Sequence, residues 1–295
     1  DIDHFLGMEH NLDNTKQTIT SNIRYTVNKY FPHNKTSING TSIPSATTFK
    51  PGGTISIAKD SYSGRIAKTN YDKLGRWIHL QLAGKRQKTI NIIVCYKVAK
   101  SSRPLSDQRM TAYSQQTSLL KIQHPNGNHD PREHFDRDIK RLTESLIRKN
   151  QEILMLGDFN EDIESSSSGM KKIRDQFQLI DILHHHTGQS KFNTFQSGSS
   201  RIDFALCTVA LASSVKTCGY DAFSQRTVSD HRGFYLDIDT ESMFGNITSV
   251  LSPPPLRGFN SNNPSTNRQH IENKYDMLPK DVEALIQTIQ LSRLS

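Results

Sequence analysis

The chain of 295 residues has little of what would staple it: three cysteines, Cys95, Cys207 and Cys218, and one tryptophan, Trp77. Three widely spaced cysteines without a close pairing pattern argue against a disulfide scaffold and for reduced core thiols in an intracellular, reducing compartment. Long apolar runs are also missing. No stretch approaches the roughly 18 apolar residues that cross a bilayer, so no membrane partner is expected. The opening DIDHFLGMEHN has neither the basic nor the apolar region of a secretory leader. Because the first residue is Asp1 and a strand-like run follows at once, the expectation is a piece cut from a longer chain. Hydrophobic residues reach only 34%, which allows a core but implies that part of the length is solvated. What is present in excess is positive charge, 37 Lys and Arg against 29 Asp and Glu for a formal net charge of +8. Such a balance attracts polyanions, nucleic acid foremost.

Periodicity divides the chain. Residues 5–9 read as a strand delivering Glu9, and 15–31 as a helix with Ile19, Ile23, Val27, Tyr30 and Phe31 on one face. From Lys50 to Val98 the period changes to that of consecutive strands, expected to be antiparallel: Thr54–Ala58, Ile66–Lys68, Trp77–Leu82 and Ile90–Val98. Pro131 opens a helix carrying Phe135, Ile139, Leu142 and Leu146 at spacings of four, three and four. Glu152–Leu156 is an apolar strand that stops at Gly157-Asp158-Phe159-Asn160, and a helix is expected around Met170–Leu179. Further strands are expected at Asn193–Gln196, Arg201–Leu206 and Gly233–Ile238. After Thr240 the composition turns rich in Pro, Asn and Ser, with a short helix at Lys280–Leu291. The predicted division is one domain over 1–240 and a linker with a terminal helix over 241–295.

Four segments place acidic or imidazole side chains at strand ends: Glu9, Asp158 with Asn160, Asp203, and Asp230 with His231. Phosphodiester hydrolysis needs that kit: carboxylates to hold a cation and position water, and donors for the phosphoryl oxygens. Each segment alone has a plainer explanation. Gly-Asp-Phe-Asn can be an Asx turn, Arg201-Ile202-Asp203 a strand with a surface ion pair, and Ser229-Asp230-His231 a turn or helix cap. Their joint occurrence in this order is what carries the argument.

In that order, GDFN, RIDFAL and SDHRG resemble the signature of the endonuclease/exonuclease/phosphatase superfamily, over residues 1 to about 240. The resemblance implies an α/β four-layer α/β/β/α sandwich of the DNase I-like type, here with its first strand missing. That strand normally ends in an asparagine of the metal site, which puts the activity of the piece in doubt. The resemblance makes Glu9 a metal ligand, with Asp230 completing the metal's surroundings, for Mg²⁺ with Mn²⁺ as the other candidate. It places Tyr96 facing the phosphate and gives Asp158 the attacking water. Asn160 would hold the phosphate or that water, Asp203 the imidazole of His231, and His231 the phosphoryl oxygens, with Thr194 in support. Ala112-Tyr113-Ser114-Gln115-Gln116 and Asp130-Pro131-Arg132 further resemble the nuclease domains of non-LTR retrotransposon polyproteins. That likeness implies DNA nicking, a reverse transcriptase in the same polyprotein and a nuclear location. The alternatives are a same-fold hydrolase of abasic DNA, RNA, phosphoinositide or sphingolipid, and an inactive remnant that only binds nucleic acid.

Other eye-catching residues carry less. His184-His185-His186 are adjacent, so their side chains diverge and cannot all hold one ion. Lys50-Pro51-Gly52-Gly53-Thr54 lacks the Gly-Lys-Ser/Thr ending of a phosphate-cradling loop and reads as a turn. Arg76, Lys85, Arg86 and Lys88 sit in or near strand connections and are candidate contacts to DNA phosphates, while Gly75-Arg76-Trp77 can instead place the tryptophan in the core.

Overall fold

A computed structural model of the chain describes residues 2–44, 49–100, 111–189, 192–225 and 229–245. Its elements run β1 (His4–Met8), α1 (Gln17–Tyr30), β2 (Asn34–Asn39), β3 (Thr54–Lys59), α2 (Asp60–Ser63), β4 (Ile66–Tyr71), β5 (Trp77–Ala83) and β6 (Thr89–Tyr96). Then come α3 (Ala112–Gln123), α4 (Pro131–Arg148), β7 (Glu152–Asp158), α5 (Gly169–Phe177), β8 (Ile180–Asp181), α6 (Ile182–Thr187) and β9 (Asp203–Cys207). The last are α7 (Val209–Ala212), β10 (Val215–Tyr220), β11 (Phe234–Ile238) and α8 (Thr240–Phe244).

Six strands form the main sheet in the order β4-β5-β6-β7-β9-β8. Only β6 and β7 in it run parallel, a pairing that requires a crossover connection, here the segment containing α3 and α4. The central strands are apolar on both faces. On β6, Ile90, Ile92 and Val94 enter one core while Ile93 and Cys95 enter another; on β7, Leu154 and Leu156 alternate with Ile153 and Met155 in the same way. This period of two is what a strand covered on both sides requires. The second core is closed by Phe135, Ile139 and Leu146 of α4 and by Met170 and Ile173 of α5.

The first core is closed by two smaller sheets, β1-β3-β2 and β10-β11, which contribute Leu6, Met8 and Ala58 from one and Val215, Cys218, Phe234, Leu236 and Ile238 from the other. Helix α1 rests against β2. The layers are thus helix, sheet, sheet, helix, the expected sandwich. All three cysteines are free and buried in these cores, and no helix among the described residues is long and apolar enough to cross a membrane.

Several expectations fail locally. Strand β2 carries no apolar alternation because its inward positions are polar: Ser37 and Asn39 are buried, and Asn39 Nδ2 donates to Asp72 O at 3.1 Å and Trp77 O at 2.8 Å. Asn193–Gln196, expected as a strand, is a loop tied by one bridge between Phe195 and His231. Strand β10 has no counterpart among the expected strands, although it is the partner of β11 among the described residues. On α1 only Val27 is buried, while Tyr30 and Phe31 face solvent. Beyond residue 240, Met243 and Phe244 of α8 are buried in the first core. The helix expected at Lys280–Leu291 lies outside the described residues.

Candidate active site

Register builds the centre of the site. Tyr96 ends β6, Asp158 ends β7 and Asp203 begins β9; Tyr96 pairs with Asp158, and Asp158 with Asp203. Three residues in register on adjacent strands point to one side, spaced by about 4.8 Å per strand. That side is the face between the sheets, since Val94, Leu156 and Ala205, two residues away along each strand, all lie in the first core. The row therefore stands at the rim of the core, where apolar packing stops. Asp158 and Asp203 are 3% and 2% exposed, so neither carboxylate is a surface charge.

The backbone around Asp158 is shaped for close approach. A Cβ at Gly157, whose φ is +152°, would lie 1.9 Å from Cys95 O, which no side chain can do. Beyond Asp158 the chain turns sharply, with Asn160 at φ +48°. Asn160 N donates to Asp158 Oδ1 at 2.9 Å, and Asn160 Nδ2 donates to Asp158 Oδ2 at 2.8 Å and to Lys97 O at 2.9 Å. Both partners of Nδ2 are acceptors, which settles the orientation of the amide. Its hydrogens thus point inward to hold Asp158 and the end of β6, rather than outward toward a ligand.

A charged clamp fixes that turn, and no motif in the sequence marks it. Arg132, in the first turn of α4, donates to Val98 O at 2.5 Å, to Asn160 O at 3.1 Å and to Glu161 Oε2 at 3.1 Å. Lys97 is buried with its ammonium on Asp136 at 2.5 Å and Glu161 at 2.6 Å. Glu161 in turn accepts from Ser168 Oγ at 2.9 Å and Met170 N at 2.8 Å, at the start of α5. Pro131 opening α4 places Arg132 in the first turn, but nothing in the string tells which strand ends that turn will meet.

Asp203 receives His231. The imidazole Nδ1 lies 3.2 and 3.0 Å from the two carboxylate oxygens, Phe195 packs on the ring with centroids 5.0 Å apart, and His231 N donates to Ser229 Oγ at 3.0 Å. Thr194 is fully buried, and its hydroxyl accepts from the backbone N–H of Ile202 at 3.0 Å and of Asp203 at 3.1 Å. Thr194 thus shapes the start of β9 and stands behind Asp203. Burial opposes charge on His231, but Asp203, with Asp158 and Asp230 near it, outweighs that and raises the imidazole pKa to about 9. Asp158 moves well above the usual carboxylate range, through burial first and the charge of Asp203 second, with His231 pulling the other way.

Glu9 reaches the row from the second layer. It follows β1 at φ +50°, its N–H donates to Gly53 O at 2.8 Å, and its carboxylate accepts from the Tyr96 hydroxyl. Gly52 and Gly53, at φ +90° and +95°, let the opposing turn pass the Tyr96 and His10 rings, where a Cβ would stand 3.2 and 2.3 Å away. Burial, followed by the Glu9 charge, keeps the Tyr96 phenol protonated. Asp158, Asp203 and His231 each offer a ligand atom within 4.8 Å of the others. With Glu9 nearby, three carboxylates face one imidazolium. That surplus of negative charge fits a divalent cation, whose oxygen ligands would be these carboxylates. Asp230 is exposed and stands outside this group of three.

The four cations expected as phosphate contacts stand outside this row of side chains. Arg76 is buried and bridged to Asp72 and Asp138, each at 2.8 Å, so its charge is already answered within the protein. Lys85, Arg86 and Lys88 lie in the β5–β6 connection, beyond the pairing of Ala83 with Thr89. Tyr96 ends the same strand seven residues later, roughly 23 Å away at 3.3 Å per residue. They flank the opposite end of the sheet, which a period-two pattern cannot reveal. Trp77 is half-buried, edge-on to Phe135 at 5.9 Å. His184, His185 and His186 fall in the last turn of α6, the latter two exposed.

Arg201, next to the site, is not part of a surface pair. It is buried and grips Asp181 at 3.0 and 2.5 Å through two parallel contacts.

A family model described as "Endonuclease/Exonuclease/phosphatase family" matches residues 21–231. Among solved structures, the AP endonuclease of Leishmania major is similar at 14% identity and a TM-score of 0.55, over 79% of this chain and 77% of that one. The catalytic domain of APE2 from Xenopus laevis is similar at 12% identity and a TM-score of 0.51, over 81% and 84%. These likenesses concern the fold. By sequence, no curated protein matches the chain.

Proposed function

Because the chain belongs to the endonuclease/exonuclease/phosphatase family, we propose that it is an Mg²⁺-dependent endonuclease that nicks DNA, acting as the nuclease of a retrotransposon polyprotein. The observation that carries the hydrolytic part is the convergence of Asp158, Asp203 and His231, from three separate stretches of sequence, on one point at the rim of the core. A bound divalent cation, Mg²⁺ or Mn²⁺, held by Glu9 and the neighbouring carboxylates, would neutralise charge developing on the phosphate. The protein's own groups divide the remaining work. Asp203 holds Nδ1 of His231, which leaves Nε2 to donate a hydrogen bond to a phosphoryl oxygen; a pKa of about 9 keeps that proton in place at neutral pH. Asp158, buried and of raised proton affinity, is suited to accept a proton from the attacking water. Asn160 fixes the carboxylate that does so.

DNA is favoured by the net charge of +8. The retrotransposon assignment rests on the sequence likeness around Ala112–Gln116 and Asp130–Arg132. The test is conversion of supercoiled plasmid to the nicked form with Mg²⁺, with a phosphoinositide as competing substrate. The expected result is nicking that EDTA, Asp158→Ala and His231→Ala each remove. Phosphoinositide turnover without nicking would overturn the DNA reading.

A further inference from the structure

A second gathering of cations lies in the outer layer, one strand from the candidate site. The turn between β4 and β5, the end of α3 and the exposed side of α4 enclose an open groove of about 560 Å³. Lys73, Arg137 and Arg141 line it and are exposed. Its two carboxylates, Asp72 and Asp138, are held by the buried guanidinium of Arg76 at 2.8 Å, Asp138 lying also 4.0 Å from Arg137, and against them Lys73, Arg76, Arg137 and Arg141 leave the groove a positive balance. Arg76 Nη1 is buried without a hydrogen-bond partner. Arg137 and Arg141 stand four residues apart on one face of α4, a spacing at which like charges repel and an anion between them relieves the cost.

The groove also presents flat rings. Tyr71 is 50% exposed, Trp77 is half-buried with the Arg76 guanidinium 4.3 Å from its ring, and the exposed His124 stacks on His134 at 5.5 Å. Cations interleaved with aromatic faces are the means by which proteins hold unpaired nucleotides, phosphates on the one and bases on the other. The groove is joined to the candidate site through the sheet, because Tyr96 N donates to Arg76 O at 2.8 Å.

The geometry points to a subsite for an unpaired, phosphate-linked stretch of nucleic acid running from the candidate site along α4. The inference rests on the nuclease reading above. Trp77 is the one tryptophan of the chain, so tryptophan emission has a single source, in the wall of this groove. The experiment titrates the full chain in EDTA with a single-stranded oligothymidylate of about ten nucleotides, within the usual range of site sizes, following Trp77 emission and the anisotropy of a labelled strand. Saturable binding that changes Trp77 emission is expected. In the double variant Arg137→Gln, Arg141→Gln, the slope of log affinity against log salt should fall by about 1.4, at roughly 0.7 per lost single-strand phosphate contact. An unchanged slope, or strand binding that leaves Trp77 emission untouched, overturns the proposal. So does equal binding of a duplex of the same length, or of polyglutamate, which would mark an acidic-peptide site. No turnover is involved, so plasmid left unnicked by a chain that binds the strand defeats the nuclease reading and spares the groove. Nicking without groove binding does the reverse.

Discussion

Asp158, Asp203 and His231 are each ordinary residues in sequence, and their chemistry comes from being forced together at the end of three strands. Two buried carboxylates in register repel one another, and His231 answers part of that charge at 3.0 Å. The consequence for pH has a definite sign. His231 has its folded pKa raised from 6.5 to about 9, so it contributes stability that is full below pH 6.5 and lost as the pH rises toward 9. The raised pKa of Asp158 acts in the same sense, because ionising it costs more in the folded state. The melting temperature in EDTA should therefore fall between pH 6.5 and 9. Added Mg²⁺ should restore more stability at pH 9 than at pH 6.5, which differential scanning fluorimetry at matched ionic strength can check. A melting temperature that rises over this window in EDTA contradicts the pairing of His231 with Asp203.

At the scale of elements, the candidate site depends on contacts that join secondary structures as well as on the side chains gathered in it. Arg132 ties α4 to the turn bearing Asn160, so Arg132→Ala should leave the chain folded while reducing kcat by up to about 10²-fold, the cost of an ångström-scale misplacement. KM should change little; a rise in KM at constant kcat would make Arg132 a substrate contact instead. Asp181, which ends β8 and accepts from the start of α6, carries a buried pair with Arg201 at 2.5 Å. Removing Asp181 leaves the buried Arg201 only the longer contact to Glu164 at 3.7 Å, at a cost approaching the roughly 3–5 kcal/mol of a broken buried pair. Asp181→Asn should therefore lower the urea midpoint sharply, whereas replacing both partners by apolar residues should cost less.

These joins were the least legible part of the chain. Strands β6 and β7 are visible as apolar runs, and α4 as a stripe at Phe135, Ile139, Leu142 and Leu146. By contrast, β2 hides because its inward residues are polar, and Lys97, Glu161 and Arg132 look like ordinary surface charges until α4 closes over the strand ends.

For the whole molecule, the net charge of +8 acts at long range, whereas the basic residues divide by location. Lys85, Arg86 and Lys88 sit at the end of the sheet away from Tyr96. Affinity for duplex DNA should fall steeply with salt, by about 0.9 in the log–log slope for each phosphate contacted. The triple variant Lys85→Gln, Arg86→Gln, Lys88→Gln should leave that slope unchanged in filter binding or anisotropy. A slope that drops by two or more would bring the far end of the sheet into the DNA contact.

By itself the sequence determined the kind of fold and the residue types at its strand ends: apolar alternation is local, and GDFN, RIDFAL and SDHRG are contiguous strings. Tertiary structure alone decided which charges meet. It set Asn160 to holding Asp158, paired Arg76 with Asp72 and Asp138, and sent Lys85–Lys88 to the opposite rim. The reason is physical: strand register and helix docking fix distances between residues far apart along the chain. The electrostatic role of a charged side chain follows from what stands within a few ångströms of it.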